Sequence, residues 1–90
     1  MLYQEIEEHV RKILFDVFEG DQFLKENAAS INSDVHLEEV VDFSSLEAVE
    51  IIAYIEETFQ IEVDDDDLNI NFITSITNIC KYIEEAISKE

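Results

Sequence analysis

The stretch that decides the fold of this chain runs from Ser45 to Phe59 and reads SLEAVEIIAYIEETF. Its apolar residues recur at spacings of three and four, which is the pattern of one buried helical face. We therefore predict a helix here, with an inner stripe formed by Leu46, Val49, Ile52, Ala53, Ile55 and Phe59. Ser44 and Glu47 have the spacing of a capping box, so we expect the helix to begin at this point.

Two further stretches show the same helical periodicity. The first carries Tyr3, Ile6, Val10, Ile13, Leu14 and Val17, and Gly20 follows Phe18 where a helix stop is expected. The second of these stretches lies near the end of the chain and has Thr74 or Ser75 as its N-cap candidate. Its apolar stripe consists of Ile76, Ile79, Cys80, Ile83 and Ile87. A weaker signal predicts one short helical turn between Asp64 and Asn71.

Residues 21–43 form a long connection without a clear period. We treat this connection as an ordered crossover, because loops of this length inside a compact domain are rarely structureless. Its aliphatic anchors are Ile31, Val35, Leu37, Val40 and Val41. With 90 residues, no proline and one glycine, the chain suits one helical domain. The predicted fold is all-α: a small four-helix bundle over residues 1–90, with three main helices, one short helix and a long first crossover loop.

The charge balance excludes several classes of partner. The chain has 23 acidic against 5 basic residues, which gives a formal net charge of −18. Such a chain is repelled by nucleic-acid phosphates and by anionic membrane surfaces. No apolar run reaches the roughly 20 residues of a membrane span, and the start of the chain lacks the order of a signal peptide, so we expect a cytoplasmic protein.

The reactive side chains do not form a catalytic or metal-binding pattern. The two histidines, His9 and His36, have no nucleophile motif beside them, and Gly-rich phosphate loops are absent. The single cysteine, Cys80, excludes an internal disulfide and lies on an apolar stripe, which favours a core position. The run Asp64–Asp67 lacks the alternating ligands of a calcium loop and is better interpreted as a solvated helix start. We expect no catalytic residue and no metal site.

The segment from Ile31 to Leu46 resembles, without a gap, the approach to the prosthetic-group site of acyl carrier proteins. The stretch from Leu46 to Phe59, continuing to Val63, is similar to the second helix of that family. Residues 71–76 resemble the lead-in to its last helix, in the longer form common among carriers of specialised pathways. The resemblance covers essentially the whole domain, although the first helix matches only in length and pattern.

The resemblance implies that Ser45 carries 4′-phosphopantetheine, transferred from coenzyme A, as a phosphodiester. A phosphate there would lie at the positive end of a helix. The alternative is that Ser44 and Ser45 only cap the helix. The chain departs from the family at two positions: Ser44 replaces the usual aspartate before the modified serine, and Asp42 replaces a common glycine. The first change removes a contact that the modifying transferase uses.

The resemblance also implies a function without catalysis of its own. Acyl intermediates would be held as thioesters on the arm and delivered to partner enzymes of fatty-acid, polyketide or other specialised biosynthesis. The implied partners of this monomer are a phosphopantetheinyl transferase and acyl-loading and acyl-processing enzymes with basic docking patches. The alternative is an unmodified, carrier-like acidic adaptor that binds a basic protein.

Two groups of residues would serve that function. The acidic partner-binding residues are Glu47, Glu50, Glu56 and Glu57, and no Lys or Arg occurs between Glu26 and Cys80. A solvated helix face explains the same carboxylates. An apolar cleft for the acyl chain would be lined by Ile52, Ile55, Phe59, Val63, Leu68 and Ile76. Core packing explains these apolar residues equally well.

Overall fold

A computed structural model describes residues 2–28, 30–40, 45–63 and 73–88 of the chain. Within these ranges every regular element is an α-helix, so the predicted all-α bundle is confirmed. The helices are α1 (Tyr3–Val17), α2 (Gln22–Asn27), α3 (Leu37–Val40), α4 (Ser45–Phe59) and α5 (Ile76–Ser88). The short turn predicted between Asp64 and Asn71 lies outside the described residues. None of the described helices is both long and apolar enough to cross a membrane.

The core forms where α1 packs against α5 and α4. The periodic apolar residues of α1 supply one side of it, and the buried ones are Ile6, Val10, Ile13 and Leu14. On α5 the buried residues are Ile76, Ile79, Cys80 and Ile83. Both lists follow the predicted stripes, except that Tyr3 is exposed and that Val17 and Ile87 are only partly buried. Burial of each large aliphatic side chain stabilises the fold by about 1.5–3 kcal/mol.

The ends of α1 and α5 follow local signals to different degrees. The Oγ of Ser75 accepts a hydrogen bond from the Asn78 N–H at 3.2 Å, which selects Ser75 as the N-cap of α5. The first helix ends at Val17, but Gly20 does not have the positive φ that a glycine cap uses. A turn closes the helix instead, since the Asp21 N–H donates to the Phe18 carbonyl at 2.8 Å.

Over the described residues 21–28 and 30–40 the crossover is ordered, as predicted, but it contains the two helices α2 and α3 that the periodicity did not predict. Six and four residues are too few to show a helical period. The carboxylate of Asp21 accepts the Leu24 N–H at 3.1 Å and so caps α2. The guanidinium of Arg11 then ties the crossover to α1, because its Nη1 donates to the carbonyls of Ala28 (3.2 Å) and Ile31 (2.7 Å).

The predicted helix from Ser45 to Phe59 is confirmed as α4, but its predicted inner stripe is partly wrong. Leu46, Val49 and Ala53 are exposed. The residues that face the core are Ala48, Ile51, Ile52, Ile55 and Phe59. Both sides of α4 carry apolar side chains, so the spacing alone does not select the face on which α1 and α5 pack.

Candidate functional site

The predicted attachment residue, Ser45, is the first residue of α4. The crossover approaches it through α3, which ends at Val40. Residues 41–44, which include Ser44 of the predicted capping box, lie outside the described part of the chain. The structure thus places the backbone of Ser45 at a helix N-terminus, which is the position that the resemblance implies.

The crossover that leads to Ser45 is hydrogen-bonded to the start of α5. The Leu37 N–H donates to the Thr74 carbonyl at 2.8 Å, and the Thr77 N–H donates to the Ser33 carbonyl at 2.9 Å. Leu37 itself is buried in the core with 1% of its surface exposed. These contacts hold residues 33–37 of the crossover against the start of α5.

A polar side-chain contact reinforces the same junction. The Thr77 hydroxyl donates to the Asp34 carboxylate at 2.7 Å. The N–H of Asp34 donates to the side-chain oxygen of Asn32 at 2.8 Å, which forms a tight turn. The contact between Asp34 and Thr77 was not predicted, because the two residues are 43 positions apart and only the turn-forming pair Asn32 and Asp34 leaves a local signal in the sequence.

The outer face of α4 combines apolar and acidic side chains. Leu46 and Val49 expose 66% and 56% of their surface, and Tyr54 exposes 41%. Glu50 and Glu57 are also exposed, whereas Glu47 and Glu56 are half-buried. We call the surface formed by Leu46, Val49, Glu50, Ala53 and Glu57 the outer face of α4. Its carboxylates were predicted to form a docking surface, whereas its apolar residues were predicted to lie in the core and are exposed instead.

Glu56, one of the four predicted partner-binding carboxylates, makes an intramolecular hydrogen bond. Its Oε2 accepts the Val63 N–H at 3.0 Å, so it holds the extended segment after α4. The same end of α4 turns through Gln60, whose φ is 56° and whose side-chain amide donates to the Glu57 carbonyl at 2.7 Å. Glu56 therefore closes the C-terminal end of the helix.

The predicted cleft residues that belong to the described part of the chain lie together in the core. Those within the described residues are Ile52, Ile55, Phe59, Val63 and Ile76, each at most 7% exposed. Leu68 lies outside the described residues. An open, mainly apolar cavity of about 360 Å³ lies elsewhere, lined by Glu8, Arg11, Lys12, Phe15 and Ala28. None of the predicted cleft residues lines that cavity.

The remaining reactive side chains have structural surroundings. Cys80 is buried, as predicted, and burial, followed by the negative charge of Glu7, raises the pKa of its thiol to about 11. His9 and His36 are exposed, and the His9 ring contacts Phe59 edge to face with centroids 5.6 Å apart. Among the described residues, no group of three or more His, Cys, Asp or Glu is placed to hold a metal ion.

These features fit a covalently attached, phosphate-containing group. A serine at the start of a fifteen-residue helix supplies a hydroxyl for a phosphodiester, and the helix N-terminus favours negative charge there. The exposed Leu46 and Val49 show that the next turn of α4 lies at the molecular surface, where an arm can extend.

Comparisons with known proteins give an independent result. Residues 22–83 match the family described as phosphopantetheine attachment site. No curated protein matches the chain. The matched region covers the crossover, α4 and most of α5, and proteins with this domain carry covalently attached 4′-phosphopantetheine and interact with a phosphopantetheinyl transferase and processing enzymes. The chain therefore belongs to the phosphopantetheine-binding family and is a carrier protein, of a domain type without catalysis of its own.

Proposed function

We propose that this chain is an acyl carrier protein whose arm is attached to Ser45. The observation that carries the proposal is that Ser45 is the first residue of α4 inside the matched region. The register against the family favours Ser45 over its neighbour Ser44.

The modification is a phosphoryl-type transfer from coenzyme A. The Ser45 oxygen forms a bond to the phosphorus that bears the pantetheine arm, and the bond from that phosphorus to the bridging pyrophosphate oxygen breaks. Adenosine 3′,5′-bisphosphate leaves, and the serine proton passes to a base of the transferase. The product phosphodiester is anionic, and the N-terminus of α4 stabilises it through its backbone dipoles. The thiol at the end of the arm then holds acyl groups as thioesters.

The outer face of α4 is the docking surface in this proposal. Its carboxylates, Glu50 and Glu57, attract basic patches and accelerate encounter, whereas its apolar residues supply the short-range contact. Because the charges are exposed, salt screens this attraction and partners are released quickly. Glu47 belongs to the same acidic rim, and Glu56 contributes charge while it holds Val63.

The proposal also covers the oligomeric state of the chain, its pathway and the site that shelters the acyl group. The chain acts as a single domain over residues 1–90, as a monomer, in a specialised pathway to which Ser44 and the lead-in at residues 71–76 point. The buried group around Ile52, Ile55, Phe59, Val63 and Ile76, together with Leu68, opens to shelter an apolar acyl chain. The unmodified adaptor is the competing function, since Ser44 stands where the family places aspartate.

Intact-mass measurement after modification in vitro tests the proposal. The wild-type chain, Ser45→Ala and Ser44→Ala are incubated with coenzyme A and a broad-specificity phosphopantetheinyl transferase, and each protein is weighed and peptide-mapped. We expect one added arm in the wild type and in Ser44→Ala, and none in Ser45→Ala.

Circular dichroism of all three proteins controls for folding. Loss of the added mass in Ser44→Ala alone would assign the arm to Ser44. An unmodified population in protein from the native host, together with a wild type that takes no arm in vitro, would favour the adaptor.

A further inference from the structure

The junction between the crossover and α5 fixes both ends of one short segment. The bond from the Thr77 N–H to the Ser33 carbonyl secures its start, and the bond from the Leu37 N–H to the Thr74 carbonyl secures its end. The donors come from opposite sides of the junction, so neither element can slide along the other without breaking one of the bonds.

Asp34 lies between these two backbone bonds. Its carboxylate accepts the Thr77 hydroxyl at 2.7 Å, and Thr77 is the second residue of α5. A negative charge beside the first turn of a helix is favourable, and hydrogen bonds to ionised acceptors are stronger than neutral ones. The turn through Asn32 presets the backbone of Asp34 for this contact.

The junction lies shortly before the attachment site. Leu37, which it holds, is the first residue of α3 and is buried, and α3 ends five residues before Ser45. The described part of the crossover is therefore anchored on α5 up to a point close to the start of α4. If the crossover were loosened, it would have to become ordered each time a transferase binds this end of the molecule. The free energy spent on that ordering would weaken the apparent affinity of the transferase for the carrier.

We propose that Asp34 and Thr77 are positioning residues for the modification of Ser45. They act through the crossover and not through contact with the reacting atoms. The inference rests on the proposed attachment at Ser45. In this inference the crossover presents Ser45 to the transferase, and this role is separate from the docking of partners on α4.

Steady-state kinetics of arm transfer test this role. The variants Asp34→Ala and Thr77→Val remove the acceptor and the donor, and Thr77→Ser keeps the hydroxyl. Asp34→Ala removes the acceptor and leaves the Thr77 side chain in place, so it isolates the contact of interest. Asp16→Ala is the matched control, since Asp16 is an exposed aspartate on α1 and gives the same change of charge.

We expect the KM for the carrier to rise about threefold or more in both variants, because the competent arrangement of the crossover becomes a smaller fraction of the population. The kcat should stay unchanged, since the bound complex is the same. Thr77→Ser should restore the wild-type KM, and the double variant should show less than the product of the two effects. Hydrogen exchange at residues 33–40 should accelerate in both variants.

Three results would overturn the inference. A wild-type KM in both variants, measured well below their melting temperatures, would show that the contact does not position Ser45. An equal rise in Asp16→Ala would assign the effect to net charge. A wild type that takes no arm overturns the proposed function, and this inference with it, whereas the first two results leave the attachment at Ser45 intact.

Discussion

Gln60 ends α4 with its backbone in the left-handed region, at a φ of 56°. A side chain with a Cβ is strained there, and glycine is the usual residue at this position after a helix. The only compensation from its side chain among the described contacts is the bond from its amide to the Glu57 carbonyl. The sharp turn lets Glu56 reach the Val63 N–H, so the strain serves to close the helix.

Gln60→Gly is expected to be more stable than Gln60→Ala by about 0.5–1 kcal/mol, because both variants lose the amide bond and only glycine releases the backbone strain. Gln60→Ala keeps the strain and loses the amide bond, so it should destabilise the protein slightly. Urea denaturation followed by circular dichroism measures both. A lower stability of Gln60→Gly than of Gln60→Ala would contradict this account.

At the scale of residues, local signals were readable in the sequence and distant contacts were not. Ser75 was among the two predicted caps because Ser or Thr before an apolar run is a local pattern. The bond between Asp34 and Thr77 joins positions 43 apart and depends on how α5 is placed. Ser45 came from the register of a family resemblance, since a serine at a helix start is otherwise interpreted as a cap.

At the scale of elements, α4 is amphipathic in an unusual way, because its exposed side also carries aliphatic residues. Periodicity predicted its bounds and those of α1 and α5, yet it could not choose between the side with Val49 and the side with Ile51. The packing of α1 and α5 makes that choice. Helices α2 and α3 were missed because they are too short to repeat a period.

Val49→Ala and Ile51→Ala separate the two sides of α4. Val49→Ala should change the free energy of unfolding by less than about 0.5 kcal/mol, because its side chain is mostly in solvent. Ile51→Ala should cost about 2–5 kcal/mol, because it leaves a cavity in the core.

Binding to the phosphopantetheinyl transferase is measured by calorimetry on the folded proteins. There Val49→Ala should have a larger effect on affinity than Ile51→Ala, which is the reverse of their order in stability. Val49→Ala should weaken binding about threefold or more, since each methylene buried in an interface contributes about 0.8 kcal/mol. Unchanged affinity in Val49→Ala would show that the apolar residues of the outer face do not contribute to docking. A strong loss of stability in Val49→Ala would show that Val49 packs in the core.

At the scale of the whole molecule, a net charge of −18 is confined to a body with a radius of gyration of 12.1 Å. At about 0.01 M salt the screening length is about 30 Å, so the carboxylates repel one another across the entire fold. At about 0.1 M the screening length falls to about 10 Å, and most of that repulsion is removed.

The melting temperature should therefore rise with salt over this range. Sodium chloride and choline chloride at equal ionic strength should raise it equally, because screening does not depend on the identity of the cation. Differential scanning calorimetry measures the effect. A melting temperature that is unchanged or lower at moderate salt would contradict the repulsion argument, and a response to sodium alone would indicate ion binding.

The burial of Cys80 has a consequence for sulfur chemistry. The chain contains a single cysteine, and its thiol is enclosed in the core with a pKa of about 11, so at neutral pH it is neither accessible nor ionised. A carrier works through a thiol at the end of its arm, and a second reactive sulfur nearby would compete for the same activated acyl groups or form a mixed disulfide. In the folded protein the thiol of the arm is thus the only reactive thiol, so acyl groups are loaded at a single site. A thiol-directed label reacts with the unloaded arms alone, and the polypeptide does not interfere with that count.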